Sequence, residues 1–287
     1  LRRLIAITAC LLGLALVWGC GDSDGHKPAA PKARAVEPLD LALHLSPGAA
    51  KGQAVALVRL YSRAAQQKAL DNRRKPQEQR EKIEPISLAG GEELWVKSLR
   101  FVVEPLKGSQ GLALSPGQGS ACRAMRFPKA AELTLGPTRA HGAVYQLDAP
   151  DKLAPGSRIK AVLRVQGREI ASPSRVMPDP PKNPGQAALR QARTARWLDD
   201  AQAMLAAGRE LIQKDPAAVA GYWYQGLALE KQGQEQPALA SYEQAWDKWR
   251  QSVKNQPHPE PPMRLARRMA RLRAKLGLPP PNPAAQR

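Results

Sequence analysis

Cysteine and histidine are the side chains best able to carry covalent or metal chemistry, and this chain of 287 residues holds three Cys and four His. His26, His44, His141 and His258 stand far apart with no companion cysteines, so a zinc site is not expected. The chain has no His-Glu-x-x-His, no Gly-x-Ser-x-Gly elbow and no Walker-type phosphate loop. Gly117-Gln118-Gly119-Ser120 is rich in glycine, but no lysine follows, and it reads as a surface turn. Glu92-Glu93 and Asp199-Asp200 are adjacent pairs, whose side chains cannot face one substrate as general acid and base. Neither an enzyme nor a cofactor is expected. One thiol does sit where chemistry is foreseen. Cys20 follows Gly19 at the end of an uncharged, mostly apolar run, Leu4–Trp18, which Arg2 and Arg3 introduce.

A positive start, an apolar run and a small residue before the cut are the parts of an export signal. About fifteen helical residues rise only ~22 Å, short of a ~30 Å hydrocarbon core. Val17-Trp18-Gly19-Cys20 resembles the lipobox of bacterial lipoproteins, although Trp18 replaces the small residue usual there. The resemblance implies a signal peptide over residues 1–19, a diacylated Cys20 as first mature residue, and a membrane anchor through that lipid. Gly21 rather than Asp after Cys20 resembles lipoproteins sent to the outer membrane, facing the periplasm. Cys10 leaves with the signal, so Cys122 is the one mature thiol and no internal disulfide can form. Cys122 is expected to be a small, half-buried residue.

The elements behind the anchor change character twice. Residues 20–35 are a polar tether containing Pro28 and Pro31, able to hold a domain ~20 Å off a surface. Leu39, Leu41, Leu43 and Leu45 then alternate with Asp40, Ala42 and His44, the period of a half-buried strand. Val55–Tyr61, Leu94–Val103, Glu132–Leu135, Ala143–Leu147, Ile159–Gln166 and Glu169–Ser172 also read as strands, with turn signals between them. A segment near 62–82, rich in Ala, Gln, Lys and Arg, interrupts them as a helical insertion. The pattern predicts an antiparallel β-sandwich-like domain over 36–176. Residues 177–185 hold four prolines and form a stiff linker. From 186 to 277 the apolar period is helical, and a Pro-rich tail occupies 278–287.

Tyr222, Gly226, Leu229, Gly233, Ala238, Tyr242 and Ala245 follow the spacing of the tetratricopeptide repeat. Gly226 and Ala238 remove bulk where two antiparallel helices would touch, and Tyr242 would pack back across the pair. Gln186–Leu198 and Asp199–Lys214 give a more degenerate unit before it, with an aspartate as helix cap. The resemblance implies an all-α tetratricopeptide-like domain, and hence an α+β multidomain chain. It also implies a protein-binding groove lined by Leu189, Arg193, Arg196 and Trp197, then Trp223, Leu227, Glu230 and Lys231. Pro262–Leu276 carries an apolar stripe of Leu265, Met269, Leu272 and Leu276 among arginines, suited to cap the repeats.

The formal charge of +19 becomes +17 once Arg2 and Arg3 leave with the signal. That balance favours anionic neighbours; an exported protein would not meet nucleic acid, which is not expected as a partner. The foremost expectation is a non-catalytic, membrane-anchored scaffold that binds protein through its helices. Ala54–Tyr61 behind a lipidated tether resembles one strand of the sandwich lipoprotein of type VI secretion, which gives a secretion-system alternative. A binder of anionic envelope polymer is the other.

Overall fold

A computed structural model describes residues 39–48, 52–104, 111–117, 119, 121–150, 153–254 and 262–279. The signal peptide, Cys20, the tether, His26, His258 and most of the predicted tail lie outside the described residues. Among the described residues, no helix is long and apolar enough to cross a membrane.

Glu37–Arg287 form one compact unit. It opens with strands β1 (Leu39–Pro47) and β2 (Gln53–Ser62), followed by helix α1 (Arg63–Arg74). Ser62 ends β2 and caps α1, its hydroxyl accepting from the Ala65 amide at 3.0 Å. Strands β3 (Ile86–Ala89), β4 (Leu99–Glu104), β5 (Leu112–Leu114), β6 (Cys122–Arg126) and β7 (Glu132–Leu135) come next. They are followed by β8 (His141–Asp148), β9 (Arg158–Val165), β10 (Arg168–Ala171) and β11 (Arg175–Val176). One sheet runs β1-β2-β8-β6. A second runs β10-β9-β4-β5, with β11 also on β9, and β3 pairs with β7 in a third. All pairs are antiparallel.

The β2 sequence shows how alternation builds the core. Ala54, Ala56, Val58 and Leu60 are fully buried, while Val55, Leu57, Arg59 and Tyr61 face outward. Trp95, Phe101 and Tyr145 join the inner residues, with the Phe101 and Tyr145 rings edge to face at 5.3 Å between centroids. The Tyr145 hydroxyl donates to the Trp95 carbonyl at 2.7 Å, so its burial leaves no polar group stranded. Leu94–Lys97, expected to be the start of a strand, instead belongs to a π-helical turn, Glu93–Lys97, ahead of β4. Trp95 enters the core from that turn.

Five helices follow: α2 (Pro184–Leu198), α3 (Ala201–Lys214), α4 (Val219–Lys231), α5 (Glu235–Ser252) and α6 (Met263–Lys275). Asn183 caps α2, with Pro184 in its first turn, and Asp200 caps α3. Alanines at 188, 192 and 195 give α2 a flat buried face that permits close approach of α3. A Cβ added to Gly226 of α4 would lie 2.5 Å from the Tyr242 ring of α5, so only glycine fits that crossing.

The expectation of a sandwich joined to a separate all-α tetratricopeptide domain is corrected here. The described strands form three sheets, the helices share one compact unit with them, and no such separate domain is seen. The arrangement is α+β, a β region followed by helices. Two ties explain the closure: α2 packs on β1, and Arg126 of β6 donates to the Trp197 carbonyl at 3.0 Å. Spacing within the helices reports only helix-to-helix packing, so it carries no signal of a sheet lying against them.

Candidate functional site

The floor of the site is the outer face of the β1-β2-β8-β6 sheet. His44 lies opposite Leu57, which lies opposite Val144, which in turn pairs with Arg126. Directly opposed residues share a face, so these four form one row across the sheet. Arg59 stands two residues along β2, opposite Gly142, where a Cβ would come within 3.4 Å of the arginine side chain. Gly142 thus leaves room for Arg59 to lie over the sheet.

The walls come from the last strand and the helices. Arg193, Arg196 and Trp197 of α2 recur at helical spacing and so project from one face, away from the alanine stripe. With Tyr224 of α4, Arg264 of α6, Arg175 and Val176 of β11, and Pro178, they enclose a cleft of about 890 Å³ over the sheet. Among the described residues, six arginines line it, from five different elements, and no carboxylate does. Arg126 is paired with Asp199 at 3.2 Å, and Arg175 donates to the Leu43 carbonyl at 3.2 Å. Among the described residues Arg59, Arg193, Arg196 and Arg264 have no carboxylate partner. One turn before Arg193, the Nη1 of Arg190 is buried without a hydrogen-bond partner.

The potential of this cleft registers on His44. Partial withdrawal from water, then the nearby charges of Arg59 and Arg175, hold its imidazole below the ordinary value. An imidazolium would add positive charge to a region already crowded with guanidiniums, so His44 is neutral at pH 7.

Asp199 holds the cleft's helical wall in place. It ends α2 in the left-handed region, φ 65°, a conformation that aspartate tolerates better than most residues. Its carboxylate accepts from Arg126 of β6 and from Lys231 of α4, and Lys231 also donates to its carbonyl at 3.0 Å. Sheet, α2 and α4 therefore meet at one residue. The ion pairs are half exposed and contribute ~1 kcal/mol or less each, so their role is positional.

The residues expected to line a groove separate into two groups. Arg193, Arg196 and Trp197 are in the open cleft, whereas Leu189 packs against the helical core. Leu227 is buried there as well, at 5% exposure. Trp223 lies against Tyr242 at 5.4 Å and beneath Arg268 of α6 at 5.8 Å. Glu230 accepts from the Tyr242 hydroxyl at 2.7 Å, from Arg268 at 2.6 Å, and from Arg271. Burial alone would raise its carboxyl, but these donors outweigh burial and hold Glu230 below the usual carboxylate range. Lys231 is engaged by Asp199. The α4 group thus serves α6 and the fold, not an open groove.

Cys122 is 1% exposed rather than half-buried, and burial raises its thiol to about 12. It is protonated at neutral pH and carries no nucleophilic role. Among the described residues, no group of three His, Cys, Asp or Glu side chains could hold a metal ion. Sequence reasoning missed Arg59, Arg126, Arg175 and Arg264 as cleft residues. Arg59 had a signal, being a charge on a strand legible in the sequence, but the convergence of these arginines depends on tertiary packing. No protein-family model matches this chain, and no curated protein matches it.

Proposed function

We propose that this chain is a non-catalytic scaffold of the cell envelope, lipid-anchored through Cys20, that captures a protein partner in the cleft between its sheet and its helices. The observation that supports the reading is the convergence of Arg193, Arg196 and Trp197 with charged and apolar side chains of the sheet in one open cleft. Arginine and tryptophan are the side chains on which binding energy concentrates at protein interfaces. The helices supply the binding wall, the lipid fixes it at the membrane, and the tether's ~20 Å reach suffices to expose the cleft.

The test is a photo-cross-linking residue placed at Trp197 in the full chain, compared with one at Gln244, an exposed position on α5. A discrete protein adduct from position 197 and none from 244 is the expected result. An adduct with lipopolysaccharide or glycan in place of protein would move the assignment to envelope-polymer binding.

A further inference from the structure

The charge of the cleft identifies the chemistry of what fills it, given the scaffold reading above. Among the described residues, six arginines face the same space without a lining carboxylate, and four of them have no carboxylate partner. Bringing like charges together costs energy that an incoming anion recovers. Between the arginines lie apolar groups, namely Leu57, Val144, Val176, Trp197 and Tyr224. Val176 is 57% exposed and Trp197 half-buried, so apolar surface awaits cover beside the charge. A volume near 890 Å³ is at the upper end for small-molecule pockets and suits a short stretch of chain.

Two occupants from within the protein are disfavoured by charge. A second copy carries the same strongly positive net charge and would bring arginine to arginine. Residues 20–38 balance Asp22, Asp24 and Glu37 against Lys27, Lys32 and Arg34, and residues 280–287 contain no acidic side chain. We infer that the cleft takes a segment of another protein in which acidic and large apolar side chains are interspersed. Its carboxylates would meet Arg59, Arg193, Arg196 and Arg264, and its apolar side chains would cover Val176 and Trp197. A purely hydrophilic polyanion would satisfy the charges and leave the apolar surface wet.

The experiment measures binding of a fluorescent peptide alternating Glu and Leu to the full protein by anisotropy. Poly-Glu of equal length, the Lys–Leu counterpart and inorganic polyphosphate serve as comparisons. The expected result is that the Glu–Leu peptide binds best and loosens as salt rises. Arg193→Gln with Arg196→Gln, both exposed positions, should weaken it about tenfold or more at unchanged helical circular dichroism. Polyphosphate or poly-Glu binding as tightly as the Glu–Leu peptide would overturn the inference, as would equal binding by the double variant. Failure of the peptide to bind, beside a protein adduct at position 197, would reject the acidic partner and leave the scaffold standing.

Discussion

Gly226 and Cys122 show how single residues limit what this fold tolerates. Gly226→Ala would drive a methyl group into the Tyr242 ring, and the ring, fully buried, has nowhere to go. Overpacking of this kind costs about 1–3 kcal/mol. Chemical denaturation should show that loss, with Ala240→Gly on the exposed face of α5 as a milder comparison near ~1 kcal/mol. Cys122 should be inert to thiol reagents in the native protein and react once denaturant opens the core. Its folded value, about 12, lies above the ordinary 9.0, so its contribution is present below pH 9 and is lost as pH rises toward 12. The glycine's role was legible because the repeat spacing demands a small residue against an aromatic one. The depth of Cys122 was not, since the strand around it, Cys122–Arg126, has only one fully buried residue and no clear alternation.

At the scale of elements, α6 packs on α5 and is tied to α4 by ion pairs. Leu265, Met269 and Leu272 supply the apolar contact, and Arg268 and Arg271 close on Glu230. Because Glu230 titrates below 4.5 in the folded protein, its stabilisation is present above pH 4.5 and is lost as pH falls through the folded value. Acidification should therefore loosen α6 before the sheets, seen as earlier amide exchange in Leu265–Leu272. Glu230→Gln should weaken α6 at neutral pH and flatten that response. The stripe of α6 could be read from spacing alone, as could β1, β2 and the aspartate cap of α3. Four short strands, β3, β5, β6 and β11, could not: two to five residues hold too few alternations to stand out from turns. The π-helical turn at Glu93–Lys97 escaped for another reason, as its apolar run is equally suited to a strand.

The whole molecule depends on how the helices close over the sheet. Asp199 joins β6, α2 and α4, although spacing suggested only a break between helices at that point. Asp199→Gly would keep the left-handed turn, which glycine adopts freely, while removing both ion pairs. The expected outcome is little change in global stability but faster amide exchange at the end of α2 and in β6, with weaker partner capture. The cleft itself was only half legible. Arg193, Arg196 and Trp197 were implied by the tetratricopeptide resemblance, but Arg59, Arg126, Arg175 and Arg264 reach the same space from strands and a helix far apart in sequence. The central claim is that this cleft holds a protein partner by charge and apolar cover together. The most direct measurement is the yield of protein adduct from a photo-cross-linker at position 197, with and without Arg193→Gln and Arg196→Gln. A strong adduct that falls about tenfold in the double variant is the predicted result. Equal yields from both proteins, or no protein adduct from either, would contradict it.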